Sequence, residues 1–216
     1  EICGNGNGLI YIKGQKCLIS YDLRKERFKT IHEDGINAIT YSNGLHYASG
    51  NMVFRINPDN SEECIYKHNE PTHISTIRVI RFDTEGNMFI ATSSNDIIRV
   101  SPDGRQRKFR FENIYSLDTD EYGNTWVSTR TSGFIRIDPE GNCSEYIFKG
   151  NSQQALDRNN VRSVVHAYGS KYYIGTYDGL LLYDITDGEI QSLTYDLRRG
   201  FENHAVRLLY KRGNLL

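Results

Sequence analysis

Residues Tyr172–Asp184 read YYIGTYDGLLLYD: an apolar run, a turn at Asp178-Gly179, and a second apolar run closing on Asp184. Two such runs, bounded by Gly and Asp, spell a hairpin of β-strands. Variants return as TWVSTRTSGFIRID at Thr125–Asp138, MFIATSSNDIIRVS at Met88–Ser101 and LIYIKGQKCLISYD at Leu9–Asp22. A hairpin that recurs in one chain is a repeat unit, and repeats decide the fold before anything else does.

Aligned on the glycine that turns the first hairpin of each unit, the chain gives Gly8, Gly44, Gly86, Gly123, Gly169 and Gly213, spaced 36, 42, 37, 46 and 44 residues apart. From the second glycine onward a strand-like segment precedes it: INAITY, IRVIRFD, IYSLDTD, VRSVVHA and AVRLLYK. This is strand A. Strand B follows the glycine, as in LHYAS, NMFIAT, NTWVST and KYYIGT, and strand C follows a short loop, as in CLISYD, DIIRVSP and LLLYDI. Turns such as Pro102-Asp103-Gly104 then lead to strand D, the loosest match of the four.

Strand B ends in small residues behind an aromatic: Tyr47, Phe89, Trp126 or Tyr173. Small side chains let neighbouring sheets approach while the aromatic fills the space between them. No stretch shows helical periodicity beyond a single turn at QQALDRNN, 153–160. A four-stranded meander repeated at this period predicts an all-β fold, a β-propeller of four-stranded antiparallel blades.

The expected division is a partial blade at 1–35, blades at 36–75, 76–112, 113–160 and 161–204, and a partial blade at 205–216, all in one propeller domain or part of one. The first partial blade starts at strand B. About five repeats result, four complete and two partial. GNGNGLI at 4–10 and KRGNLL at 211–216 supply the same turn, so a closed five-bladed ring is less favoured than an excerpt of a larger propeller. The chain has no initiating Met or signal peptide, and it stops within an apparent strand, as an excerpt would.

Composition narrows the function. Net charge is −1, with acid and base mixed along the chain, which argues against a nucleic-acid-binding surface. The basic run Arg105–Arg110 reads as a solvated strand edge. No apolar run approaches the roughly 20 residues that cross a bilayer, so no membrane contact is expected from this region. Cys3, Cys17, Cys64 and Cys143 form no CxxC pair and no disulfide framework, and read as buried or half-buried free thiols on strands.

VRSVVHAYGSKYYIGTYDGLLLYDITDGEI, 161–190, resembles the two-component regulator propeller repeat through Val161, Ser163, Val164, Gly169, Tyr173, Ile174, Gly175, Thr176, Gly179, Leu180, Tyr183 and Asp184. The preceding unit adds Asp120, Gly123, Asn124, Trp126 and Val127 to the same pattern. The fourth unit departs from it with Ala167-Tyr168 where an acidic turn is usual, and one unit alone keeps the tryptophan.

The resemblance implies the periplasmic sensor region of a hybrid two-component system, anchored in the inner membrane by its parent protein. It implies an oligosaccharide ligand or a homodimer organised through that parent, with any kinase elsewhere in the chain. Two alternatives stand beside it. One is a pure protein-interaction scaffold. The other is a propeller enzyme, since GNMFIATSSNDIIRVSPDG at 86–104 resembles the streptogramin-lyase-like repeat.

In a propeller the B–C and D–A loops share the face where ligands usually sit, and long loops on a rigid scaffold carry function. Sugar recognition wants aromatic faces beside carboxylates, amides and guanidinium groups. Those criteria select Arg130, Tyr177, Asp178, Asp157, Arg158 and Arg199 as ligand-binding candidates. Catalytic residues, metal ligands and cofactors are not expected, because no His spacing, nucleophile triad or phosphate-cradling loop is present. His68, His73 and Glu70 share a loop in which a metal is weighed and set aside. The strand pair His166 and Asp118 offers no convincing acid–base cluster.

Overall fold

The computed structural model describes residues 1–15, 17–33, 35–68, 75–150, 152–193 and 205–209. The chain divides into two compact units, Glu1–Phe82 with Gly86–Arg110, and Asp83–Glu85 with Phe111–Leu216.

Three four-stranded sheets make up the first unit. They are β1 (Ile2–Gly4), β2 (Leu9–Lys13), β3 (Cys17–Asp22) and β4 (Arg27–Glu33); then β5 (Ile36–Tyr41), β6 (Leu45–Ser49), β7 (Met52–Ile56) and β8 (Glu62–Lys67); then β9 (Ile77–Phe82), β10 (Met88–Thr92), β11 (Asp96–Val100) and β12 (Gln106–Arg110). The second unit holds two more. They are β13 (Ile114–Thr119), β14 (Thr125–Thr129), β15 (Phe134–Ile137) and β16 (Cys143–Tyr146), then β17 (Val161–Tyr168), β18 (Lys171–Thr176), β19 (Gly179–Asp184) and β20 (Ile190–Ser192). Between them lies the helix α1 (Gln153–Asn159). Each sheet is an antiparallel meander with its strands paired in chain order, which is the blade of a β-propeller.

The cores explain why one blade cannot stand alone. Leu18 of β3 packs with Ile36, Ile39, Leu45 and Tyr47 of the next sheet. Ala38, Ala48 and Val53 of the second sheet meet Ile77, Ile80, Ile90 and Ile98 of the third. In the second unit Trp126 and Phe134 meet Val161, Val164, Tyr172, Ile174 and Leu181. In each case apolar side chains leave water only when two sheets lie face to face.

Three readings of the sequence change. The first repeat carries a full set of four strands, because Ile2–Gly4 pairs with β2 at Cys3↔Tyr11. Three residues ahead of a glycine-rich turn are too short a run to announce a strand. QQALDRNN is a helix of seven residues rather than a single turn. Its ends are held by a cap and by bonds to the preceding segment: the Ser152 hydroxyl accepts from the Ala155 N–H at 3.2 Å, and the Asn159 amide exchanges two bonds of 2.8 Å with the Phe148 backbone. Finally, residues 205–209, expected within strand A of a further blade, form no strand, although the Val206 N–H reaches the Thr176 carbonyl at 2.9 Å.

The reading of β12 holds, and those of the cysteines and of Tyr173 change in part. β12 is an exposed edge whose one buried residue is Phe109, and Lys108 pairs with Asp96 at 3.0 Å. All four cysteines are free and lie on strands, though Cys64 and Cys143 are exposed rather than half-buried. Tyr173 is half-buried where Trp126 is buried, and the ring that packs on Trp126 is its neighbour Tyr172, at 4.3 Å. Successive strand residues face opposite sides, so Tyr172 turns toward the preceding blade and Tyr173 away from it.

Candidate ligand-binding loops

Each B–C loop of the second unit is closed by the threonine that ends strand B. The Thr129 hydroxyl donates to the Gly133 carbonyl at 2.9 Å and accepts from the Ser132 N–H at 2.9 Å. Thr176 repeats this, donating to the Gly179 carbonyl at 3.0 Å and accepting from the Asp178 N–H at 3.1 Å. Both threonines are fully buried. The residue after each is fastened through its backbone to the loop before strand A: Arg130 N–H to Asn113 O, and Tyr177 N–H to Asn160 O, each at 3.0 Å. The backbone is therefore fixed, while the side chains of Arg130 and Tyr177 stay outside. Tyr177 is 48% exposed.

The inner strands carry a feature that the sequence did not announce. The register of β13 against β14 shifts between Ile114 and Ser116, and that of β17 against β18 shifts between Val161 and Ser163. The same shift occurs in the first unit between Ile36 and Ala38, and opposite Ala91/Thr92. The residue standing at the bulge is Asn37, Arg78, Tyr115 or Arg162. A bulge breaks alternation and re-aims one side chain, and such bulges concentrate beside functional sites.

The candidates fall into separate groups. Asp178 is joined by Arg158, whose Nε lies 3.0 Å from its Oδ2, and by Gln154 Nε2 at 3.4 Å, so α1 and the B–C loop meet. Asp157 turns instead to Gln153 on its own helix, at 2.8 Å. Arg130 sits with its guanidinium carbon 5.6 Å from the centre of the Tyr115 ring, and Arg162 shares that ring at 4.4 Å. Arg199 lies outside the described residues.

Tyr115 and Arg162 are the residues the sequence reading missed. A column was visible all the same: the second position of strand A is Asn37, Arg78, Tyr115 and Arg162 in successive units, polar or amphipathic every time.

Two further polar groups lie apart from these loops. His166 has Nδ1 2.7 Å from Glu121 Oε1 and Nε2 3.1 Å from the Gly169 carbonyl, at the far end of β17 from Arg162. In the loop where a metal was weighed, His68 is described and its Nδ1 lies 3.1 Å from the Tyr66 hydroxyl, while Glu70 and His73 lie outside the described residues. Among the described residues no group of three or more His, Cys, Asp and Glu side chains is placed to hold a metal ion. No described helix is long and apolar enough to cross a membrane.

No family model and no curated protein matches the chain. Solved structures do. The chain is similar to virginiamycin B lyase from Staphylococcus aureus, at 16% identity and a TM-score of 0.69, covering 88% of this chain and 67% of that one. It is similar to the extracellular domain assigned to a hybrid two-component system of B. thetaiotaomicron, at 16% identity and a TM-score of 0.65, covering 88% of this chain and 28% of that one. A protein of unknown function from Bacteroides caccae aligns at 13% identity with a TM-score of 0.56. The chain thus spans under a third of that extracellular domain. These likenesses establish the fold: the five sheets are β-propeller blades.

Proposed function

We propose that this chain is a ligand-recognising segment of an extracytoplasmic sensor, working by binding rather than by catalysis. The observation that carries the reading is the loop cluster of the second unit. Threonine-locked turns there present Arg130, an exposed Tyr177 and Asp178, which meet Arg158 and Gln154 of α1 and Tyr115 and Arg162 of the strands β13 and β17. An exposed ring beside guanidinium, amide and carboxylate groups suits the apolar faces and hydroxyl rim of a sugar. The likeness to an extracellular domain of a hybrid two-component system supports the same reading. In that setting the parent protein would lie in the inner membrane, face the periplasm and pair with a second copy to pass on the signal.

A thermal-shift screen of the chain against neutral and acidic oligosaccharides and divalent ions tests this. The expected result is a sugar-specific rise in Tm that a chelator leaves untouched. Stabilisation by divalent ions alone would replace it with the lyase reading, which the fold shared with virginiamycin B lyase keeps in view. No response to any sugar would leave the interaction scaffold in its place.

A further inference from the structure

Resting on the reading that these loops take a sugar, we propose that the sugar is acidic and that Arg130 and Arg162 bind its carboxylate or sulfate oxygens. Two guanidinium groups converge on one ring, at 5.6 and 4.4 Å from the centre of Tyr115. Like charges brought together oppose each other, and a tyrosine face offsets only part of that. Among the described residues neither arginine makes an ion pair.

Several carboxylates of the second unit are engaged with other partners. Asp178 is held by Arg158, Asp157 by Gln153, and Glu121 by His166. Asp120 is held by Asn124, Trp126 and Tyr172. Arg162 also keeps its Nε buried without a hydrogen-bond partner. The site therefore brings two guanidinium groups, one with an unfilled Nε–H, to a single ring, an arrangement that suits an oxyanion.

The backbone points the same way. Tyr115 and Arg162 occupy the bulge of adjacent inner strands, where alternation is broken and a side chain is re-aimed. Arg130 projects from a loop closed by Thr129 and tied to Asn113. A planar guanidinium presents paired N–H groups that match the two oxygens of a carboxylate or sulfate. Tyr177, fastened to Asn160 two residues ahead of Arg162, leaves an aromatic face for the ring that bears the anion.

The test is calorimetric titration of the whole chain with three probes: an oligogalacturonate, its carboxyl-reduced neutral counterpart, and a sulfated chondroitin oligosaccharide. One acidic probe is expected to bind at least about ten-fold more tightly than the neutral one. A preference between the two acidic probes assigns the anion as carboxylate or sulfate. Arg130→Gln and Arg162→Gln should each weaken the acidic probe about ten-fold. The exposed Arg130 lets its variant fold, and unchanged Trp126 fluorescence would confirm that both variants do. Equal binding of the neutral probe, or wild-type affinity in both variants, would overturn the acidic assignment and leave sugar sensing standing. Binding of none of the probes, together with a flat thermal-shift screen over neutral sugars, would remove both.

Discussion

At the scale of single residues, Asp120 shows why a repeat position is retained. The residue is 7% exposed, and its carboxylate accepts from the backbone N–H groups of Tyr122 and Asn124, the Asn124 amide, the Trp126 indole at 2.8 Å and the Tyr172 hydroxyl at 3.0 Å. The first four bonds shape the A–B turn of one blade, and the last ties it to the next. Burial, and then the negative charge of Asp120, hold the Tyr172 proton well above the usual phenol range. Asp120→Ala leaves two buried donors, the Trp126 indole and the Tyr172 hydroxyl, unsatisfied, and its expected cost is about 3 kcal/mol. Tyr172→Phe removes one bond and should cost about 1 kcal/mol. Urea unfolding followed through Trp126, the chain's single tryptophan, reads both. Equal midpoints for wild type and Asp120→Ala would refute the clamp. The sequence showed Asp120 and Trp126 as pattern positions but hid Tyr172, because alternation made Tyr173 the natural partner. A bond between blades leaves no spacing signature along the chain.

At the scale of elements, most strands were legible, while the short β1 and the helix were not. Four runs of Ile, Val, Tyr and Phe between Gly and Asp turns give a meander by composition alone. The helix α1 depends on Ser152 capping it and on Asn159 bonding to Phe148, contacts that no periodicity encodes. The bulges that place Tyr115 and Arg162 were hidden for a similar reason: a bulge is a mismatch between two strands, visible only once they pair. The B–C turn can be tested through Gly133. It lies at φ +69°, its N–H bonds to Asn159 O at 3.0 Å, and a Cβ there would run into the Tyr146 carbonyl. Gly169 is a matched control, at φ +56° with no atom near the position of a Cβ. Gly169→Ala should cost about 1–2 kcal/mol from the left-handed backbone alone. Gly133→Ala should cost about 2 kcal/mol more, since fixed backbone blocks the methyl. Denaturant midpoints decide it, and equal losses would show that the Gly133 turn relaxes freely.

At the scale of the whole molecule, stability is set by faces buried between sheets and by turns pinned with carboxylates, so its pH response should fall in two stages. The first belongs to His46, which is 5% exposed, lies 3.1 Å through Nδ1 from the Gly44 carbonyl and packs 4.7 Å from Phe82. Burial lowers its pKa to about 4, helped by the charge of Arg55 and opposed by the bond to Gly44. The unfolded chain then takes up this proton first. Stability is complete above about pH 6.5 and declines as the pH falls toward 4, by on the order of 3 kcal/mol. The second stage belongs to the turn aspartates. The Lys25 N–H lowers the pKa of Asp22, the Ser61 hydroxyl that of Asp59, the Ser101 hydroxyl that of Asp103, and the Thr186 N–H that of Asp184. Groups shifted downward stabilise the fold above the ordinary carboxylate range and lose that effect as protons are added below it. Urea midpoints measured from pH 8 to pH 3 should therefore fall first through the histidine window and then through the carboxylate window. His46→Gln should flatten the first and leave the second. A profile unchanged by that substitution would mean that another group governs the fall above pH 4.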